Sequence, residues 1–442
     1  MKTVQTLALL TLLALPPVAA RAEKSAELVQ STVPAENLDA LVATALANNP
    51  EVKASQARWQ MFASKAKQAG ALDDPMLMLK LQNVPPSKPW VVNMDTQSAK
   101  VIGLSQQLPF WGKRALRHDV ARFEADSYKW AVEERKLELT RMIKERYYQI
   151  WGVDKELAVV EKNLKLLTDF VAITELKYSL GQGVQQDIFK AGLERSKMLD
   201  MQITLQQQRK SLAANLNFLL NRLGNSPVGV VPDFVLPEVK QSPEALQAIA
   251  NEQRPQMKSL ASLVQKSEAA QRLAQKERYP DFNLSVEYMF REPVSTTMGT
   301  DPGDDMVSLG VTFNLPFQQG TRREMRAESR YERLMATEEL NALKNSVALT
   351  INETLVQLER RRKLVELYKG GIIPQAEQSL ESALISYQVS KVDFLTLLDS
   401  RMTLFNHERA LYDSQVEYMM NLAQLEAAVG ADPTKTSNPQ QP

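Results

Sequence analysis

The chain has 442 residues, with 53 Lys and Arg against 52 Asp and Glu, two His and no Cys. Its length suits two or three ordinary domains or one elongated one, and the balanced charge leaves no electrostatic footprint for nucleic acid. Without cysteine, disulfides, thiolate metal sites and cysteine nucleophiles are excluded.

The chain opens MKTVQTLALLTLLALPPVAARA: Lys2, an apolar run over residues 7–15, then a small-x-small ending at Ala20-Arg21-Ala22. This reads as a secretory signal peptide over residues 1–22. The run is shorter than the ~20 residues a membrane helix needs, and no Cys follows to carry a lipid anchor. Cleavage would leave 51 basic and 52 acidic residues. Beyond it no stretch approaches 18 consecutive apolar residues, so the remainder is either soluble or crosses a membrane as strands.

A helix is predicted over residues 38–71. After Pro75, PMLMLKLQNVP and SAKVIGLSQQLP read as a pair of strands, with Met76 and Met78 blurring the alternation of the first. Leu108-Pro109-Phe110 ends the pair, because proline lacks the ladder donor and sits at sheet margins. Gly112 is expected to turn the chain, and Lys113 and Arg114 to begin a helix in water. No proline interrupts residues 111–226, so an arm over residues 113–180 would run ~100 Å at about 1.5 Å per residue. Along it Ile150, Val153, Leu157, Val160, Leu164, Leu167 and Val171 step alternately by three and four, a coiled-coil seam. A second seam passes through Val159, Leu166, Phe170 and Ile173. Two seams mean a neighbour on each side, as in a wide bundle or a cylinder of helices. Residues 223–245 are rich in Pro and Gly and unable to stay helical. They separate two units, residues 23–222 and 246–430, and residues 431–442 form a polar tail expected to be disordered.

The second unit repeats the first. Pro50 matches Pro255, Pro75 matches Pro280, Leu108 matches Leu315 and Tyr178 matches Tyr387, at offsets of 205, 205, 207 and 209. Its helix is expected over residues 255–278. Its strands are the clearer ones: in DFNLSVEYMFR and DMVSLGVTFNL every second residue is apolar, over ten or eleven residues, the length of a tilted membrane strand. Leu315-Pro316-Phe317, Gly320, Arg322 and Arg323 repeat the exit into a helix. Phe110, Trp111 and Phe317 stand where a membrane interface would lie. Four strands cannot close a barrel and open edges are forbidden in lipid, so several chains must pool strands; three would give twelve.

The order and duplication of these features resemble the TolC-type outer membrane efflux proteins over essentially the whole mature chain. The carriers are the doubled LPF..G.R exits, the turn from Tyr178 to Asp187, GIIPQAEQSLESALISY and TLLDSRMTLFNHERALY. GALDDPMLML with LSQQLPFWGKRALR is most similar to the heavy-metal (CzcC- and CusC-like) branch, several of whose members carry a lipid-anchoring Cys missing here. The resemblance implies a mainly α fold with a membrane β-barrel: four strands per chain in a trimeric twelve-stranded barrel, continuing into an α-helical tunnel through the periplasm. It implies a homotrimer in outer membrane lipid, a periplasmic adaptor and an inner-membrane pump of the resistance-nodulation-division type. Residues carried over at the periplasmic aperture are Tyr178, Asp187, Tyr387, Lys391, Thr396 and Asp399; at the barrel-to-helix transition they are Pro109, Gly112, Pro316 and Gly320. Three Asp399 copies around an axis would favour cations in the pore. An Asp beside a helical turn is also an ordinary cap or solvated residue.

Chemistry finds little support. His118 and His407 are far apart, and no phosphate-loop, zincin or nucleophile-elbow motif occurs. No cofactor is expected. The close pairs Met76/Met78 and Met419/Met420 offer soft donors suited to Cu(I), although methionine at such spacing ordinarily packs. GTDPGDD reads as an external hairpin loop rather than a Ca²⁺ site. Against a passive efflux duct for substrates such as metal cations or drugs stand a duct for type I protein secretion and a soluble periplasmic coiled-coil scaffold or adaptor; the scaffold leaves the strands and the duplication unexplained.

Overall fold

The computed structural model describes residues 37–297 and 299–434. The expected signal segment over residues 1–22 and the tail beyond Thr434 lie outside the described residues.

The expected opening helix is two, α1 (Leu38–Asn48) and α2 (Pro50–Ala69). Pro50 disfavours helical backbone at Asn49, and Asn49 turns that break into a joint. Its side chain accepts from the amides of Glu51 at 2.9 Å and Val52 at 3.3 Å, and donates to the Leu219 carbonyl at 3.1 Å. Pro255 makes the same break later, between α5 (Pro243–Gln253) and α6 (Pro255–Lys276). Helix α5 begins inside the stretch read as linker, where the Ser242 hydroxyl caps the Ala245 amide.

Strands β1 (Met76–Gln82) and β2 (Ala99–Leu108) from the first unit meet β3 (Phe282–Phe290) and β6 (Met306–Phe313) from the second. They form one antiparallel sheet in the order β1-β2-β3-β6. The register sets Leu77 beside Leu104, Leu104 beside Val286 and Val286 beside Leu309. Since side chains alternate along a strand, these four lie on one apolar face, which is bare: Leu309 is 83% exposed. The other face carries Ser105, Ser285, Glu287 and Ser308. Residues 299–305, read as a loop, contribute β5 (Gly299–Asp301), which pairs with β4 (Val294–Thr296) in a short hairpin.

Two long helical segments leave the sheet, and a second helix returns along each. Helix α3 (Lys113–Ser179) has 67 residues and is ~100 Å long at 1.5 Å per residue; α4 (Gln185–Leu219) returns along it. In the second unit, α7 (Gln319–Leu367) passes through a π-helical turn, Tyr368–Ile372, into α8 (Ile373–Gln388), and α9 (Phe394–Val429) returns. The helix expected after Gly320 is thus widened just before Pro374, which has no amide proton for the carbonyl four residues back.

The first seam divides: Ile150, Val153, Val160 and Leu167 are buried, while Leu157, Leu164 and Val171 are half-buried. Val159 and Phe170 of the second seam are buried, and Ile173 is exposed. Among the described residues no helix is long and apolar enough to cross a membrane.

Candidate functional site

The sheet-to-helix transition is a packed joint. Phe110 stacks on Tyr279, centroids 4.5 Å apart, and its amide donates to Asp281 Oδ1 at 2.8 Å. Gly112 has φ 83°, the left-handed region that favours glycine, and a Cβ there would meet Lys276 Nζ at 2.8 Å. Lys113, expected in water, is 1% exposed. Its ammonium donates to the Tyr279 carbonyl at 2.8 Å and pairs with Glu277 and Asp281, each at 3.0 Å. A buried ammonium is tolerated because its donors meet two carboxylates and a carbonyl. The second transition differs. Gly320 lies in the first turn of α7 and turns nothing; the chain bends through Phe317 and Gln319, whose amides donate two residues back at 2.9 and 2.8 Å. Pro109 directly follows the last ladder residue of β2, Leu108, whereas β6 ends at Phe313, three residues before Pro316.

At the far end of the helices, two hairpin turns lie side by side. Helix α3 ends in a turn closed by Gln182 N–H to Lys177 C=O at 2.8 Å and Gly181 N–H to Tyr178 C=O at 3.0 Å. Helix α8 ends likewise, Lys391 to Ser386 at 2.9 Å and Ser390 to Tyr387 at 3.1 Å. This is the paired-bond helix stop with a left-handed residue; Gly181 and Ser390 occupy that position with φ 70° and 58°.

The two tyrosines matched by the repeat have diverged. Tyr178 is 48% exposed, whereas Tyr387 is 6% exposed and packs on Phe394, centroids 5.8 Å apart. Lys177 joins the hairpins: its Nζ lies 4.1 Å from the centroid of the Tyr387 ring and donates to the Tyr387 carbonyl at 2.8 Å and to Ser390 Oγ at 3.4 Å.

Asp187 and Asp393 form the acidic centre of this end, with opposite tendencies. Burial raises the Asp187 carboxyl above the ordinary range; Lys190 opposes the shift and the charge of Asp393 adds to it. Asp393 is held low by hydrogen bonds from the Thr396 hydroxyl and amide, at 2.5 and 3.0 Å, and so caps α9. Thr396, expected at the aperture, serves that cap. Burial, and then Asp187, raise the Tyr387 phenol. Lys391 and Asp399 are exposed. The structure therefore brings Asp187 and Tyr387 together and adds Lys177, Lys190 and Asp393, which sequence reasoning missed. The three-residue spacing of Asp393 and Thr396 was the available sign of a cap.

Between this end and the middle, α3 and α9 share buried polar groups. Arg401 Nε donates to Asn163 Oδ1 at 2.6 Å, and Lys162 pairs with Glu408 at 2.9 Å. Arg409 pairs with Glu156 at 2.8 Å. Among the described residues, no group of three or more His, Asp and Glu side chains is placed to hold a metal.

A family model described as "Outer membrane efflux protein" matches residues 41–222 and 246–431. The cobalt-zinc-cadmium resistance protein CzcC of Cupriavidus metallidurans is 27% identical over 138 residues, 29% of this chain and 28% of that protein. The chain is thus aligned to under a third of the length of that relative. Among solved structures, the outer membrane protein VceC of Vibrio cholerae superposes with a TM-score of 0.75 at 17% identity, covering 89% of this chain and 96% of that one. CusC superposes with a TM-score of 0.72 at 14% identity over 89% and 92%. The open-state MtrE channel of Neisseria gonorrhoeae gives 0.73 at 15% over 90% and 91%.

Proposed function

The chain belongs to the outer membrane efflux protein family, and from that premise we propose that it is the exit duct of a tripartite efflux system. In this reading three copies pool their sheets into a twelve-stranded barrel in outer membrane lipid. The two repeats, residues 23–222 and 246–430, parted by residues 223–245, supply the wall of a helical tunnel in the periplasm. A periplasmic adaptor and an inner-membrane pump of the resistance-nodulation-division type complete the path, and the pump supplies the energy. The duct itself does no chemistry. The aperture is the hairpin end holding Tyr178, Asp187, Tyr387, Lys391, Thr396 and Asp399, and the cargo is a metal cation, which the likeness to a cobalt-zinc-cadmium resistance protein supports.

The observation that carries the reading is the sheet. Its outer strands β1 and β6 each have one unpaired side among the described residues, and one face is bare and apolar apart from Lys100 and Gln106 toward its two ends. Water punishes that face and lipid punishes the edges, whereas closure with further copies in a bilayer satisfies both.

The test is light scattering on detergent-extracted protein, followed by recording in planar bilayers. A trimer with discrete conductance steps is expected. A monomer or dimer that stays in solution without detergent and conducts nothing would overturn the duct and leave the coiled-coil scaffold.

A further inference from the structure

The polar face of the sheet holds an anomaly. Its positions are mostly small or polar, yet Met76 and Met78 both lie on it, paired with Ser105 and Gly103. Met78 covers Gly103, but packing does not account for Met76. Met76 is 59% exposed, its neighbour across the ladder is a serine, and Leu77, Leu79 and Leu81 already supply the apolar side of β1. Met419, by contrast, is buried in the helical core.

Gly103 explains how these thioethers can act together with a charge. A Cβ at Gly103 would lie 3.1 Å from Met78 Cε and 3.1 Å from Glu287 Cγ. Glu287 is the partner of Gly103 on the next strand, so Met78 and Glu287 close over the same glycine from opposite sides. Met76 stands one pleat along, about 7 Å away on the same face. One step further, Met289 and Met306 face each other across β3 and β6.

We propose that Met76, Met78 and Glu287 form a binding site for a soft monovalent cation, Cu(I), on the inner wall of the barrel. The assignment rests on the duct reading, which makes this face the lumen. Thioether sulfurs prefer Cu(I) to harder divalent ions, and the carboxylate supplies the compensating charge. A two-sulfur site with one carboxylate, open to water, holds an ion and releases it, as a conducting path requires. Met289 and Met306 offer the next pair of sulfurs.

The experiment is anaerobic competition for Cu(I) between bicinchoninate and the full-length protein in detergent. It compares wild type, Met76→Leu/Met78→Leu, Glu287→Gln, and Met325→Leu/Met335→Leu as a control in two exposed methionines of α7. Leucine conserves volume closely enough to leave the fold intact. Loss of even a supporting group costs a metal site about ten- to a hundredfold in affinity, so loss of both sulfurs is expected to weaken binding by at least about a hundredfold. Glu287→Gln is expected to weaken it about tenfold, with the control unchanged. Equal Cu(I) binding by wild type and the Met76/Met78 variant, or none by wild type, overturns the site. Potassium chloride conductance of the same preparations separates the two ideas. Conductance without methionine-dependent binding leaves the duct standing and removes the site. Methionine-dependent binding without conductance keeps the Cu(I) cluster but removes the duct, and with it the placement on a lumen wall.

Discussion

Lys177→Met tests whether the hairpin end is a gate held shut from within each chain. The ammonium donates to the Tyr387 carbonyl at 2.8 Å and lies 4.1 Å from the centroid of its ring. A hydrogen bond from a charged donor contributes about 1.5–3 kcal/mol, and a cation–π contact at a partly exposed site about 0.5–1 kcal/mol. Lys177 is only half-buried, which puts the sum near the low end, about 2 kcal/mol. At about 1.4 kcal/mol per decade, that is roughly thirtyfold in the equilibrium between joined and parted hairpins. Methionine keeps the length of the side chain and its packing on the ring but makes neither polar contact. Single-channel recording in planar bilayers is expected to show open probability rising by about that factor from a low wild-type value. Lys165→Met, which removes an exposed lysine from the same helix, is expected to leave it unchanged. An open probability for Lys177→Met within about twofold of wild type would refute the bridge as a latch.

The acidic pair gives the end a pH dependence with two opposite arms. Because the folded Asp187 carboxyl is raised, chiefly by burial, the stability it contributes is full below the ordinary aspartate value and lost as pH rises through its own raised value. Asp393 is lowered, so its contribution is present above the ordinary value and lost as pH falls through its lowered one. Hydrogen exchange across residues 180–187, corrected for the intrinsic rate, is expected to slow on acidification through the Asp187 window, and Asp187→Asn is expected to abolish that slowing. Asp399→Ala is expected to reduce cation preference, seen as a reversal potential moving toward zero in a potassium chloride gradient; an unmoved potential takes Asp399 out of the pore. Gly152→Ala tests the packing of α3 on α9, since its Cβ would come 2.5 Å from Val416 Cγ2. Helix propensity favours alanine by about 1 kcal/mol, but overpacking costs about 1–3 kcal/mol. The melting temperature is therefore expected to fall, and to recover in Gly152→Ala/Val416→Ala.

Where the chain's environment is set by its own periodicity, the sequence was legible. The strands β3 and β6 were read within two residues of their ends, because one apolar and one polar face impose strict alternation. Long-range contacts were not legible. Lys113 reads as a solvated helix start, yet its partners Glu277 and Asp281 come from more than 160 positions away. The hairpin of β4 and β5 has too few residues to show a period, and it is anchored by Arg291, which bonds Asp301 and the Thr96 carbonyl. Pro50 and Pro255 were visible as matched landmarks, but whether a proline bends a helix or ends it depends on what caps the break, and Asn49 settles that through a carbonyl at Leu219. At the hairpin end the repeat correctly set Tyr178 against Tyr387, but identical position did not mean identical burial. The second tyrosine is buried because Phe394 and Lys177 reach it.

The buried polar groups along α3 and α9 bear on how such a shaft keeps its length. An apolar heptad pattern is nearly indifferent to a slide by seven residues, since each knob then meets an equivalent hole. Glu156 and Asn163 are one heptad apart on α3, and Arg401 and Glu408 are one heptad apart on α9. In the observed register Asn163 meets Arg401, while Glu156 meets Arg409. A slide of one heptad one way would set Arg401 against Phe170, and breaking a buried pair in that manner costs about 3–5 kcal/mol; a slide the other way would bring Glu156 to Arg401 but take it from Arg409 and set Asn163 against Phe394. The partners are imperfect: Arg401 Nη2, Asn163 Nδ2 and Glu408 Oε2 find no hydrogen bond among the described residues. The cluster is therefore better explained as a key for register than as a source of stability. With the two helices unable to slip, the Lys177 bridge and the acidic pair at their ends meet at a fixed height. In the duct reading, movement at the aperture is then confined to the separation of the hairpins, the motion that the Tyr387 contact resists.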